Sequence, residues 1–289
     1  MNELLGPAWA RHTRAAVRMS IYLLFTFALI PVQALAVWRK WPLRETLPVF
    51  YHSVCCRLWG MTVEVKGDLA ADRPLLLVSN HTSYLDIPVL STVTGLSFVA
   101  KSEVANWPFF GLLAKLQRTV FVDRRRSSTA KQRDAIGERL AEGSRLVLFA
   151  EGTSSDGNRV LPFKSALLSV AERNDDDRPL TLQPMSIAYT HLNGIPIGHA
   201  LRPFYAWYGD MGLGGHLWTF AGLGRTRIEV RLMPPVKADA FASRRELTRH
   251  LHALVQSGVA ASLTGRETGL TEGAAALGSA AKVAEPATT

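Results

Sequence analysis

One stretch limits what this chain can fold into. Arg18 and Arg39 bracket an uncharged run from Met19 to Trp38, "MSIYLLFTFALIPVQALAVW". About 20 apolar residues cross a bilayer core as a helix, and the run reaches that length. It either belongs to a membrane or forms the buried core helix of a soluble protein. Pro31 and Gln33 weaken it as a straight span. No small-residue cleavage site follows closely, which argues against a signal peptide. Positive charge stands on both sides, with Arg11, Arg14 and Arg18 before and Arg39, Lys40 and Arg44 after. The positive-inside rule therefore sets no orientation. A kinked or re-entrant helix with both ends on the cytoplasmic side suits these charges. A second apolar segment, Leu47 to Met61, carries His52 and Arg57 and reads as a helix lying in the interface. Residues 1–60 are expected to form a helical membrane anchor.

Beyond it the pattern alternates. The segments "TVEVKG", "RPLLLVSN", "LSFVAK", "TVFVDR", "RLVLFA", "LTLQPMSIAYT" and "RIEVRLMPPV" read as strands. Between them "LDIPVLSTV", "EVANWPFFGLLAKL" (interrupted near Pro108), "TAKQRDAIGERLAEG" and "FKSALLSVAER" read as helices, and "SRRELTRHLHALVQ" as a last one. Strands alternating with helices predict an α/β fold over residues 61–262, a mixed, largely parallel sheet flanked by helices. Residues 263–289 turn to Ala, Gly, Thr and Glu without periodicity and are expected to be a disordered tail.

The chain carries a net charge of +9 over 289 residues. Such a balance favours polyanionic partners, yet no nucleic-acid motif is present and the arginines form no single block. The apolar N-terminus makes the lipid bilayer the expected partner instead. The two cysteines, Cys55 and Cys56, are adjacent in an apolar segment and suggest neither a disulfide framework nor a metal site. No metal is expected: His250 and His252 are spaced wrongly for one helix face, and His191, His199 and His216 read as loop residues. There is no G-x-S-x-G elbow and no phosphate-binding loop. The S-x-x-K match from Ser128 to Lys131 lacks companion motifs.

Three strand ends carry polar clusters, and ligands of α/β sheets bind beyond the carboxyl ends of strands. The first cluster is Asn80, His81, Ser83 and Asp86. The second is Asp123 and Arg124, followed by Arg125 and Arg126. The third is Glu151, Gly152, Thr153 and Ser154. Ser83 followed by Asp86 also fits a capping box at a helix start, which would leave His81 a plain loop residue. Taken together, the clusters suggest one site holding a base, a carboxylate and anion-binding groups.

At these residues the chain resembles the glycerolipid acyltransferases. The family's N-H-x-S-x-x-D motif is matched by Asn80, His81, Ser83 and Asp86. Its K-x-E-L…P…G stretch is matched by Lys101, Glu103, Pro108 and Gly111, with Val104 for leucine. Its G-x-I-F-I-D-R motif is matched by Phe121, Val122, Asp123 and Arg124, with Arg118 at the glycine. "FAEGTSS" corresponds to F-P-E-G-T-R-S, with Ala150 for proline and Ser154 for arginine, and a fourth, proline-containing apolar stretch fits around Pro184. The match covers about residues 60–260. The substitutions, with "LQRTVFVDR" and "EGTSSDGNRVLPFKSAL", look like the bacterial branch that acylates lyso-ornithine lipid.

The resemblance implies transfer of an acyl chain from acyl-CoA or acyl carrier protein to a lysolipid hydroxyl. No resident cofactor is implied. It makes His81 and Asp86 the catalytic pair, and Asn80, Ser83, Lys101, Arg124, Glu151, Gly152, Thr153 and Ser154 the substrate-binding set. It places the protein at the cell inner membrane, catalytic domain on the cytoplasmic face. The family default for the acceptor is 1-acylglycerol-3-phosphate, giving phosphatidic acid, with lyso-ornithine lipid as the rival. A membrane-anchored lipid-binding protein without turnover is the non-enzymatic alternative. The residues suit catalysis better, because an alcohol needs a base, and an imidazole titrating near pH 6.5 in water is matched to that task. Five positions is too far round a continuous helix for His81 and Asp86 to share a face. His81 is therefore expected in a loop and Asp86 in the first helical turn. Arg118, Arg159 and Lys164 are candidates to replace the missing arginine charge.

Overall fold

A computed structural model describes residues 5–122, 129–172 and 180–267, with only the backbone of 129–132. The expected site residues Asp123 and Arg124, with Arg125, Arg126 and Ser128, lie outside the described residues, as does most of the expected tail.

The centre of the structure is β2 (Leu75–Ser79), buried at every position. It lies between β5 (Arg145–Phe149) and β6 (Thr181–Leu192), parallel to both. A parallel strand covered on both faces needs no polar alternation, which explains the unbroken "LLLV". Side chains still alternate in direction. Leu75 and Leu77 join one core cluster, Leu76 and Val78 the other, on the opposite face. The sheet order is β1-β8-β6-β2-β5-β3-β4, with β7 (Ile195–Pro196) and β9 (Val236–Lys237) also pairing β6. β3 (Ser97–Lys101) and β4 (Val120–Val122) continue the parallel set from β5. β8 (Thr226–Leu232) runs antiparallel to β6, and β1 (Met61–Lys66) runs parallel to β8. The sheet is thus mixed and mostly parallel, as the alternating pattern predicts.

One face of the sheet is covered by α5 (Thr129–Ala141) and α7 (Arg244–Thr264). Leu247, Leu251, Val255 and Val259 of α7 recur every four residues and enter that core. Ser243 caps α7 by accepting from the Glu246 N–H at 3.2 Å. The helix continues to Thr264, and Glu267 pairs with Arg231. Ordered chain therefore extends beyond residue 262.

The other face receives α1 (Ala8–Trp38), α2 (Leu43–Leu58), α3 (Asp86–Leu90), α4 (Phe110–Leu116) and α6 (Leu213–Ala221). Tyr22 of α1 and Cys55 and Cys56 of α2 share a core cluster with Leu75 and Leu77 of β2. α1 runs through Pro31 without a break. Ala15, Tyr22, Thr26, Gln33 and Ala36 are its buried residues and form one stripe. Trp9, Leu24, Phe27 and Trp38 stand exposed. Only 22% of its most apolar window is buried, although the helix is long and apolar enough to cross a membrane. A core helix of a soluble protein would bury most of that surface. Gln33, expected to weaken the run, holds it in place: its Nε2 donates to the Arg44 and Leu116 carbonyls at 3.1 and 3.0 Å.

Local expectations fail where backbone chemistry overrides pattern. "FKSALLSVAER" forms a 3-10 helix, Ser165–Glu172, with non-helical dihedrals at Leu168. "LDIPVLSTV" yields only five helical residues. α6 escapes the sequence reading because Gly214 and Gly215 stand in its first turn and disfavour helix. It carries His216, so that residue is helical, not in a loop; His191 likewise lies in β6.

α1 is fastened to the end of α6 by two arginines. Arg18 Nη1 donates to the Ala221 and Leu223 carbonyls at 3.0 and 2.8 Å, and Arg14 Nη1 to Gly222 at 3.0 Å. These are the free carbonyls at the end of α6, where a cation is favoured. Arg18→Ala is expected to cost about 1.5–3 kcal/mol. The melting temperature of the detergent-solubilised protein should fall by roughly 3–12 °C; an unchanged transition would mean that packing alone holds α1.

Candidate active site

Strand register assembles the site. Ser79 ends β2 opposite Phe149 of β5 and Met185 of β6, so Asn80–His81 and Ala150–Glu151 leave the sheet side by side. β6 runs on past them, and the Asn80 side chain continues the ladder. Its Nδ2 donates to the Ile187 carbonyl at 3.0 Å, and its Oδ1 accepts the Ile187 N–H at 2.9 Å. The chain thereby stays pinned after the strand has ended.

His81 then sits in a loop and Asp86 opens α3, as the five-residue spacing requires. The loop folds back so that His81 Nδ1 and Asp86 Oδ2 are 2.8 Å apart. An ionised carboxylate can only accept, so Nδ1 carries the proton and Nε2 is the nitrogen left for a substrate. The same Oδ2 accepts the Thr82 N–H at 2.7 Å and the Ser83 N–H at 3.0 Å. Oδ1 accepts from the Tyr189 hydroxyl at 2.9 Å. The carboxylate is fully buried, while the His81 side chain keeps 23% of its exposure. The imidazole lies flat on Phe149, with centroids 4.0 Å apart. The Ser83 N–H to Asp86 bond closes the turn that leads into α3, whose N-cap is Leu85 with no side-chain cap, so the expected capping box does not form. Closing that turn and holding the histidine are done by one side chain.

Glu151 braces this loop. Its Oε1 accepts the His81 N–H at 2.7 Å and its Oε2 the Leu161 N–H at 2.8 Å. Burial pushes its carboxyl up to about 7, against the pull of those two backbone donors. The Ser155 N–H donates to the His81 carbonyl at 2.8 Å, so the segment after β5 grips the histidine's backbone from both sides. Gly152 adopts φ +74°, a left-handed turn open to glycine, and the Lys164 side chain crosses it.

The remaining expected contacts divide. Asn80 and Ser83 were expected to touch substrate, but they are 3% and 0% exposed. Asn80 is consumed by Ile187, and the Ser83 hydroxyl accepts from the Leu85 N–H at 3.3 Å. Both support the loop from behind. Lys101 and Thr153 are exposed at the ends of β3 and β5, and Ser154 is half-buried. Arg118 cannot supply the missing charge, because its Nη1 pairs with Glu45 at 3.1 Å. Its φ of +59° gives the physical reason for a glycine in the resembling motif. Gly111 has a different reason: an added Cβ would meet the Ala105 carbonyl at 2.5 Å.

Two features escaped the sequence. Tyr189 looks like any residue of an apolar strand, and only the register of β6 brings it to Asp86. The second is a cavity of about 220 Å³ beside the loop. Residues of α1 and α2 (Leu29, Ile30, Tyr51) meet Tyr84 and Ile87 from the dyad segment and Phe110 of α4 in its wall. Its lining is overwhelmingly apolar.

This arrangement belongs to a known class. Residues 61–188 match the model of the acyltransferase family. Over 246 residues the chain is 45% identical to lyso-ornithine lipid O-acyltransferase of Brucella abortus, covering 84% of this chain and 92% of that one. It is 40% identical over 264 residues to the protein of the same name from Rhizobium meliloti, 90% of each. The crystal structure of the 1-acyl-sn-glycerophosphate acyltransferase PlsC from Thermotoga maritima superposes with a TM-score of 0.64. That match has 20% identity and covers 89% of this chain and 99% of the other, a likeness of fold. The chain therefore belongs to the acyltransferase family and is an enzyme acting on lysolipids.

His81→Ala is expected to lower transfer by roughly 10²–10⁴-fold, the usual contribution of a general base. Circular dichroism should remain that of the folded protein. Asp86→Asn should be impaired to a similar degree, since an amide cannot accept from all the donors that converge there. Wild-type rates from either variant would remove the dyad from the mechanism.

Proposed function

We propose that this enzyme is a lyso-ornithine lipid O-acyltransferase, working at the cytoplasmic face of the inner membrane. The observation that carries the reading is the 45% identity along nearly all of a relative bearing that name. In the proposed reaction the acceptor hydroxyl gives its proton to His81 Nε2 as its oxygen attacks the thioester carbonyl. The tetrahedral intermediate collapses with loss of the C–S bond, and the thiolate takes the proton back from Nε2. An O-acyl ester and a free thiol result, with no enzyme-bound acyl group. Asp86 holds the imidazole in the tautomer that leaves Nε2 free and stabilises the imidazolium. The donor is acyl-CoA or acyl carrier protein. The apolar cavity suits an acyl chain, and the α1–α2 layer that walls it carries the exposed apolar surface suited to lipid.

One substitution favours a zwitterionic head group over a phosphomonoester. A phosphate of nearly two charges favours bidentate arginine contacts. Ser154 occupies the position where the resembling motif carries arginine; among the described residues Arg118 is committed to Glu45 and Arg202 donates to the Ile197 carbonyl, while Arg159 is exposed and Arg124 lies outside the described residues. The loop after β5 carries charges of both signs, Glu151 and Asp156 with Arg159 and Lys164, and of these Asp156 and Lys164 suit an ornithine ammonium and carboxylate. 1-Acylglycerol-3-phosphate is the second reading, supported by the fold shared with PlsC.

Transfer to lyso-ornithine lipid and to lysophosphatidate at matched concentrations decides between them. The wild type should prefer lyso-ornithine lipid. Ser154→Arg should gain roughly 10-fold or more on lysophosphatidate, the value of one charge-assisted contact. A wild-type preference for lysophosphatidate, unchanged by the substitution, would reject the ornithine acceptor.

A further inference from the structure

We infer that Tyr189 is a positioning residue of the reaction: its hydroxyl fixes the Asp86 carboxylate and tunes how strongly that carboxylate draws on His81. The inference rests on the dyad mechanism above, and not on which acceptor is used.

Asp86 Oδ2 serves three donors, His81 Nδ1 and the Thr82 and Ser83 N–H groups, whereas Oδ1 has the Tyr189 hydroxyl at 2.9 Å. Two of the three Oδ2 donors are backbone groups of the dyad loop itself. Tyr189 comes from β6, more than 100 residues away in sequence, and ties the carboxylate to the sheet. It is 2% exposed and stacks on Tyr205, with centroids 5.4 Å apart. Its position along the strand is set by the parallel register with β2, before β6 slips against β8 between Tyr189 and His191. Burial and the neighbouring Asp86 charge both raise the phenol's pKa, so Tyr189 stays a donor throughout the working range. Arg202 Nη1 lies 3.5 Å from the Tyr189 carbonyl on the far side.

Removing the hydroxyl leaves Oδ1 buried without a partner. The carboxylate becomes less stabilised as an anion and a stronger base, and it then holds the imidazolium more firmly. Transfer needs neutral His81, so the acid limb of the pH profile moves to higher pH. Among the described residues, the other titratable groups around the dyad are Glu151, Asp156, Arg159 and Lys164 from the segment after β5, Tyr84 with His216 of α6, Cys56 of α2 and Arg202. All are retained in the variants below.

The test measures kcat/KM against pH for thioester-dependent transfer by the full-length enzyme, using whichever of the two acceptors is turned over. Tyr189→Phe should lower kcat/KM at neutral pH about 10-fold. Its acid limb should move up by roughly half to one unit. Tyr205→Phe removes a second buried hydroxyl from the same stack, one bonded to Thr226, and should leave the limb in place. Site-specific 3-fluorotyrosine at position 189 keeps the shape but strengthens the donor, and should move the limb down. A rate loss in Tyr189→Phe with an unmoved limb overturns the inference, and so does an equal shift in Tyr205→Phe. Should Tyr189→Phe not fold, an unmoved limb in the fluorotyrosine enzyme overturns it. His81→Ala separates the two readings. If that variant stays active, the dyad mechanism itself fails. If it is dead and the limbs do not move, only the role of Tyr189 is lost.

Discussion

The structure around the site is organised by one buried charge. A carboxylate taken out of water costs several kcal/mol unless hydrogen bonds and a counter-charge replace its hydration. Asp86 is fully buried, and every feature of its surroundings answers that cost. The chain leaves β2 at Ser79, and residues 82 and 83 aim their N–H groups at Oδ2. His81 folds back as a third donor, and β6 supplies Tyr189. In the proposed reaction the imidazole becomes positive, and the charge waiting beside it is already in place. The environment that makes the carboxylate expensive also makes it effective, since little solvent has to reorganise as the proton moves.

The rest of the fold keeps those donors in register. A parallel sheet buried on both faces has little freedom to slip, because a one-residue shift would turn Leu75 and Leu77 into the opposite core. Asn80 extends that rigidity one residue beyond the strand, and Glu151 carries it across from β5. The N-terminal helices are part of the same body. Tyr22, Cys55 and Cys56 pack in the cluster that holds Leu85 and Tyr189, and α1 and α2 complete the cavity wall. The segment that reads in sequence as an anchor is also a wall of the candidate acyl site. The exposed apolar surface of α1 and the wall of the cavity therefore belong to one helix pair.

What could be read from the sequence follows from the range of the interactions. The apolar run of β2, the break at Asn80 and the five-residue spacing of His81 and Asp86 are local, and the loop-plus-first-turn geometry follows from that spacing alone. Glu151 was legible as a site residue, but its part as a brace depends on strand adjacency. Asn80 and Ser83 were legible as motif members, while their inward direction depends on burial. Tyr189 was invisible because its partner lies 103 positions away and nothing in its own strand marks it out from the other buried positions. α6 was invisible for another reason: its glycines contradict helix locally, and packing against α1 overrides them.

An acyltransferase without an enzyme nucleophile meets a particular difficulty. A His–Asp pair beside a thioester can activate water as readily as an alcohol, and water is the more abundant. His81 retains some exposure, so the dyad alone does not exclude hydrolysis. The structure offers two counterweights. Phe149 covers one face of the imidazole, and the cavity walled by Tyr84 and Ile87 of the same segment is apolar, which in the proposed reaction would limit water near the thioester carbon. The acceptor's advantage must otherwise come from being held, since a positioned hydroxyl gains over bulk water through effective concentration. In the proposed reaction the contacts that hold the head group would set more than affinity. They would determine how long the hydroxyl stays at Nε2, and hence whether the acyl chain passes to lipid or to solvent.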